Sequence, residues 1–202
     1  ALKQGIHLEL APALVRKKVQ THSFNVLEKQ ILSDGHAETF LLYLDGKGRR
    51  FQSGDLLSIT PPEETVPRLY SVAKLQPDTL LLSVKKHDLG ICSNYLYGLE
   101  KDVPLAAAIQ LNKAFHLPKK TPSITLIANG TGIAPYLGMI QQRPKGTEMH
   151  LYWGGRNTAS YDLYRPLIEQ ALNQGQLDQL ELAFSRQEST YKFVQDILED
   201  RA

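Results

Sequence analysis

"FHLPKKTPS", residues 115–123, separates two kinds of sequence. Its two prolines interrupt helix and strand alike, and its two lysines keep it in solvent, so the stretch reads as a connection between domains. Before it, from about Val15 to Lys113, β-branched, leucine and aromatic residues recur mostly with period two. The candidate strands are "HSFNVLEKQIL", "ETFLLYL", "DLLSIT", "RLYSVAKL", "TLLLSVKK" and "VPLAAAIQL". Between them, "LDGKG", "FQSGD", "TPPEE" and "LQPD" supply the glycine, proline and aspartate of sharp reversals. Six short strands broken in this way predict an antiparallel barrel or sandwich, where closure removes exposed edges.

After the connection, strands alternate with helices. "SITLIAN" precedes a helix over about 135–142, "MHLYWGG" precedes a helix around "YRPLIEQALNQ", and "LELAFS" precedes a last helix in "YKFVQDILED". Tyr164, Leu167, Ile168, Ala171 and Leu172 fall at helical spacing, and Pro166 is tolerated in or beside the first turn. Three βα units in a row predict a doubly wound parallel sheet, with ligands at the carboxyl ends of its strands. The expected organisation is a linker over residues 1–17, a barrel over 18–118 and an α/β domain over 119–202.

Of the 202 residues, 42% are hydrophobic and 22% charged, with a net charge of +2. That balance belongs to an ordinary globular protein and provides no broad basic field for nucleic acid or anionic lipid. Any anion must be held locally. The single cysteine, Cys92, excludes an internal disulfide and suits a reducing compartment. No HxxxH or HExxH spacing occurs among the six histidines, so no metal site is expected. No apolar run approaches the roughly 18 residues of a membrane span. The chain starts at Ala1 without a signal-peptide pattern, which fits a piece processed or excised from a longer protein.

Four stretches have the residue types for chemistry. In "IANGTGIAPY" (127–136) a strand meets Gly130, Thr131 and Gly132 and then a helix with Pro135 near its start. This is either a phosphate site at a helix N-terminus or a plain glycine turn. The next two strands end in "YWGGR" and "AFSR", which bring Arg156, Ser185 and Arg186 to the same sheet edge, suited to a phosphorylated ribose. In "HDLGICSNYL" (87–96), Gly90 permits close backbone approach and Ser93 is placed to cap a helix. The loop is either an anion cradle or an ordinary capped helix plugging the barrel, and Cys92 reads as a small packed residue. In "PRLYSV" (67–72), strand alternation puts Arg68 and Tyr70 on one face and Leu69 on the other. A guanidinium beside an aromatic ring suits a ligand with a phosphate and a flat ring, and is also a common stacked surface pair.

Taken in order, "RLYS", "GICSNYL", "FHLP", "GTGIAPY", "GGR", "YDLY", "AFSR" and "FVQDIL" resemble the ferredoxin-NADP reductase family. Over residues 20 to 198 they are most similar to its diflavin reductase branch, such as the sulfite reductase flavoprotein and the cytochrome reductases. The resemblance implies an antiparallel six-stranded β-barrel that binds FAD, followed by an α/β doubly wound parallel sheet that binds NADPH. It implies that Arg68 meets the flavin pyrophosphate, Tyr70 stacks on the isoalloxazine and Ser71 is the catalytic residue near flavin N5, with Leu69 in the same flavin-binding segment. Gly90, Ile91, Cys92 and Ser93 would close over the FAD phosphates. Gly130, Thr131 and Gly132 would meet the NADP pyrophosphate. Arg156, Ser185 and Arg186 would hold the adenosine and its 2′-phosphate, assisted by Gln195.

The implied activity is hydride acceptance from NADPH and onward electron transfer to an acceptor protein or a fused flavodoxin-like or haem domain, in the cytoplasm or on the cytoplasmic side of an anchored reductase. The chain would be a monomer or part of a larger one. The alternative is a flavin or nucleotide sensor or docking module without turnover. A barrel that binds neither ligand is the blandest reading. Against the family pattern, Tyr191 and Phe193 fall on a lysine and a tyrosine, with Lys192 shifted by one. His116 stands for an arginine, and Ala128 for the leading glycine. The sequence ends at "ILEDRA", where the family continues through another strand, a helix and a terminal aromatic residue, so the chain is expected to be a fragment of a larger reductase.

Overall fold

The computed structural model describes residues 20–33, 38–75 and 78–201. The expected linker over 1–17 lies outside them. Strands β1 (Thr21–Ser33), β2 (Glu38–Asp45), β3 (Leu56–Ile59), β4 (Arg68–Ser71), β5 (Ala73–Leu75), β6 (Thr79–Lys85) and β7 (Pro104–Gln110) form one antiparallel sheet in the order β4-β3-β7-β1-β2-β6-β5. These are the six expected strands, with "RLYSVAKL" divided at Val72.

That division closes the sheet. β4 pairs with β3 on one edge and β5 pairs with β6 on the other, yet only Val72 separates β4 from β5. The sheet must curl until its edges meet. Val72 fixes the corner: its N–H donates to the Asp55 carbonyl and its own carbonyl accepts from the Gly54 N–H, both at 2.9 Å. Inside lie Phe24, Phe40, Leu42, Leu57, Leu80 and Leu82, all fully buried. Helix α1 (Ile91–Gly98) plugs one end with Cys92 and Leu96.

The second half is a parallel sheet in the order β10-β9-β8, built from β8 (Ser123–Asn129), β9 (Glu148–Gly155) and β10 (Gln179–Phe184). Helices α2 (Ala134–Gln141) and α4 (Arg165–Asn173) pack on the face toward the barrel, joined by Met149, Leu151 and Trp153 of β9. Helix α5 (Val194–Asp200) covers Tyr152 and Ala183 on the other face with Val194 and Ile197. Both faces are thereby covered, as a parallel sheet requires. A short helix α3 (Thr158–Asp162) was not expected; Asn157 and Ser160 close a reciprocal capping box at its start, with the Ser160 N–H donating to Asn157 Oδ1 at 3.0 Å.

Strand β6 explains how the halves join. Leu80 to Val84 are buried at every position, because one face belongs to the barrel interior and the other meets the α/β half. Leu41, Ala73, Leu75 and Leu81 share one apolar core with Leu126, Ile133, Leu137, Trp153 and Ile168. Polar anchors flank this core. The Lys74 N–H donates to Ser53 Oγ at 3.0 Å and its carbonyl accepts from Gln142 Nε2 at 3.0 Å. Fully buried Asp55 accepts from the N–H groups of Gln52 (2.9 Å) and Asn112 (2.8 Å), and His116 Nε2 lies 2.6 Å from its Oδ1, which fastens the connection to the barrel.

Gly138 of α2 meets the barrel so closely that a Cβ there would stand 2.3 Å from Ser53 Oγ and 2.7 Å from the Lys74 nitrogen. Gly138→Ala must push α2 off β5. The expected loss is about 1–3 kcal/mol, as for other overpacked sites. Urea unfolding should show a lower midpoint with an unchanged slope; an unchanged midpoint would mean that α2 slides freely.

Candidate functional site

Two cavities of about 380 Å³ each open beside the seam. The first lies at the carboxyl ends of β8, β9 and β10. There β8 runs into a single 3₁₀ turn, Gly130–Ile133, that passes directly into α2. Gly130 has φ +52°, a left-handed conformation that glycine adopts without a steric penalty. Its carbonyl accepts from Trp153 Nε1 at 3.0 Å. Trp153 is fully buried, and its ring lies 5.7 Å from Tyr161 and Tyr164 and 6.3 Å from Phe184. A Cβ on Gly155 would come within 2.3 Å of that indole and 2.7 Å of Ser160 Oγ, so the second glycine of "WGG" makes room for the tryptophan beneath the turn.

Backbone pairing continues beyond the strands. The Ser185 N–H donates to the Gly155 carbonyl at 3.0 Å and the Arg186 N–H to the Arg156 carbonyl at 2.8 Å. Gly130, Thr131, Arg156 and Ser185 therefore converge on the cavity wall. Gly132, Arg186 and Gln195 do not line it; all three are exposed. Lys85 from the barrel and Lys192 do, so three cationic side chains and no carboxylate face the space. Tyr191 turns away and donates its hydroxyl to Asp200 Oδ2 at 2.6 Å, while the Lys192 N–H donates to Asp196 Oδ2 at 2.9 Å. A cavity with this lining favours an anionic ligand.

The second cavity gathers Arg68, Tyr70, Gly90, Ile91, Cys92 and Ser93. Alternation along β4 keeps Arg68 and Tyr70 on the cavity side. Leu69 and Ser71 are not among the lining residues. Tyr70 leans on the barrel core, and burial, helped by a hydrogen bond to the Cys92 thiol, pushes its hydroxyl far above the ordinary phenol value. Burial also raises the Cys92 thiol, partly offset by Tyr70 and Arg68, so the cysteine stays protonated and packed.

Ser93 does not cap α1 as expected. Gly90 occupies the N-cap position without a side-chain bond, while Ser93, one turn in, accepts from the His87 N–H at 3.2 Å and donates to the Gly90 carbonyl at 3.0 Å. Asn94 Nδ2 adds bonds to the carbonyls of His87 (2.9 Å) and Gly90 (3.0 Å). The loop is tied by these side chains, and the first-turn N–H groups of α1 remain for a ligand. At the other end of α1, Lys29 Nζ donates to the carbonyls of Tyr97 and Leu99, a cation placed where the helix dipole is negative.

Lys85 and Thr131 line both cavities, so the two spaces are neighbours. Lys85 and Trp153 are not legible as site residues in the sequence, because each owes its place to pairing between strands, whereas Ser160 is placed by the local capping box of α3 and Lys192 by the loop before α5. Among the described residues no cluster of histidine, cysteine and carboxylate side chains could hold a metal, and no helix is long and apolar enough to cross a membrane.

Residues 126–200 match a family model described as an oxidoreductase NAD-binding domain. The chain is 31% identical over 159 residues to the sulfite reductase [NADPH] flavoprotein alpha-component of Baumannia cicadellinicola, which covers 71% of this chain and 26% of that protein. It is 33% identical over 161 residues to the NADPH–cytochrome P450 reductase of Salmo trutta, again 71% of this chain and 26% of the relative. The chain thus spans about a quarter of the length of these curated relatives. Among solved structures, the ferredoxin-NADP⁺ reductase of Plasmodium falciparum with 2′P-AMP superposes with a TM-score of 0.75 at 21% identity, covering 89% of this chain and 79% of that one.

Trp153→Phe keeps an aromatic ring under the turn and removes its donor to Gly130. A lost hydrogen bond of this kind costs about 1 kcal/mol. Hydrogen exchange should quicken at the amides of residues 130–133, and exchange at the wild-type rate would show that the indole does not hold the turn.

Proposed function

The chain belongs to the ferredoxin-NADP reductase family, and from that premise we propose that it is an FAD-dependent NADPH oxidoreductase module. The observation that carries the proposal is the adjacency of the two cavities, one wall being common to both through Lys85 and Thr131. Hydride transfer needs donor and acceptor in contact, and the adjacency of the cavities supports this reading.

The residues present fit both groups. For FAD, Tyr70 offers an aromatic face, Arg68 a guanidinium on the same side of β4, and Gly90 to Ser93 the open N–H groups of a helix start. Leu69 belongs to this strand segment through its backbone. Ser71, half-buried at the end of β4, is assigned the redox edge of the flavin. For NADPH, Gly130, Thr131 and Gly132 form the pyrophosphate turn, while Arg156, Ser185 and Lys192 grip the ribose phosphate. Lys192 takes the place that Tyr191 vacates. Arg186 and Gln195 are exposed and outside the cavity wall. Three cations without a carboxylate favour the additional phosphate of NADPH over NADH.

When bound, FAD supplies two-electron acceptance from a hydride donor and one-electron release. The polypeptide binds and orients. Arg68 and the first turn of α1 neutralise phosphate charge, Tyr70 holds the ring by its face, and the Trp153-backed turn presents backbone N–H groups to the dinucleotide. The neutral Tyr70 hydroxyl and Cys92 thiol introduce no extra negative charge beside the flavin. The partner that such a module would serve is a one-electron acceptor, a separate protein or a fused flavodoxin-like or haem domain. The single thiol of the chain suits a cytoplasmic setting.

Full-length protein purified with FAD should show flavin absorption that bleaches when NADPH is added without oxygen. Absence of flavin binding would sink the reading, whereas binding without bleaching would leave the sensor or docking role. Lys192→Ala is expected to weaken NADPH binding about tenfold, equivalent to roughly 1.4 kcal/mol, with little change for NADH. Equal weakening of both would remove Lys192 from the phosphate grip. Ser71→Ala should slow bleaching at unchanged FAD affinity.

A further inference from the structure

Ser83 is a polar residue in the middle of the two-sided buried run of β6, 8% exposed. Such a group needs a partner. It finds one across the seam: Ser83 Oγ and the Tyr164 hydroxyl share a buried hydrogen bond of 2.8 Å. Tyr164 stands at the start of α4 and is 1% exposed. Burial pushes its hydroxyl up to about 12, with Ser83 drawing it back, so it remains a neutral hydrogen-bonding group.

The bond joins the two cavities. Ser83 lines the flavin cavity and Tyr164 lines the nucleotide cavity. From Tyr164 the contact continues: its ring meets Trp153 edge-on at 5.7 Å, and Trp153 Nε1 holds the Gly130 carbonyl at 3.0 Å. One chain of contacts therefore runs from barrel strand β6 to the dinucleotide turn. Another polar bond across the seam, Gln142 Nε2 to the Lys74 carbonyl, involves residues that line neither cavity. With the apolar core it can keep the halves together when the cavity-side anchor is lost.

We infer that Ser83 and Tyr164 are positioning residues whose shared hydrogen bond sets the approach of the two cavities, and with it the distance for hydride transfer. The inference rests on the oxidoreductase reading proposed above. The aligned step passes one hydride, a proton with two electrons, from NADPH to FAD, leaving NADP⁺ and reduced flavin. Misplacement by about 1 Å can cost a hundredfold in such a step.

The test uses Ser83→Ala, Tyr164→Phe and the double variant in the full-length protein. FAD content and NADPH affinity should stay within about twofold of wild type, while flavin reduction at saturating NADPH slows about tenfold or more. The double variant should be no slower than the slower single one, because the pair acts as a unit. In the ligand-free protein, amide exchange should quicken over residues 82–85 and 161–165 and stay unchanged at Lys74 and Gln142. Wild-type reduction rates in FAD-loaded variants, or wild-type exchange at both segments, would overturn the inference. A slower rate explained entirely by lost NADPH affinity would do so as well. Failure of the oxidoreductase reading is distinguishable, since wild-type protein would then not bleach, and the exchange measurement would still decide whether the bond holds the seam.

Discussion

Strand β6 has no solvent face over Leu80 to Val84, and the rest of the molecule follows from that constraint. Leu80, Leu82 and Val84 fill the barrel while Leu81 and Ser83 meet the parallel half. Burying one leucine contributes roughly 1.5–3 kcal/mol, an upper value because unfolded chains already bury some surface. Leu41, Ala73, Leu75 and Leu81 together make the barrel wall the floor of the second sheet. An apolar interface of this kind holds two domains as one body, where a polar one would let them swing.

The cavities inherit their relation from that wall. The side of β2 and β6 that carries Leu41 and Leu81 ends in Thr39 and Lys85, which are register partners and both line the cavity at the parallel-strand ends. Lys85 reaches the cavity beside β4 and α1 too. From the opposite half, Thr131 of the glycine turn does the same. The first turn of α1 and the turn before α2 so come to line neighbouring cavities. Backbone N–H groups at such helix starts carry partial positive charge without the desolvation cost of a buried cation.

Sequence patterns located several of these parts for stated reasons. Alternation placed Arg68 and Tyr70 on one face because strand geometry has period two, and the cavity lining agrees. Turn residues marked the six strands, and βα alternation marked the parallel sheet. Other parts are legible in hindsight of the fold only through short local signals. Asn157 and Ser160 have the spacing of a capping box, and α3 begins there. Ser83 interrupts an apolar run, the mark of a partnered polar group. Ser93 was placed as a cap by residue type, but competition for its hydroxyl within the loop decided otherwise. Arg186 and Arg156 hold matching strand-end positions, yet only Arg156 lines the cavity.

By itself, the sequence determined the class of each half, the turns, the glycine loop and the shared face of Arg68 and Tyr70. These depend on local periodicity and on residues with special backbone freedom. Tertiary structure alone decided that Val72 is a corner joining opposite edges of one sheet, and that Lys85 and Thr131 belong to both cavities. It alone also paired Ser83 with Tyr164, 81 positions away. The physical reason is that local patterns report which side of a strand is buried and carry no information about what it is buried against.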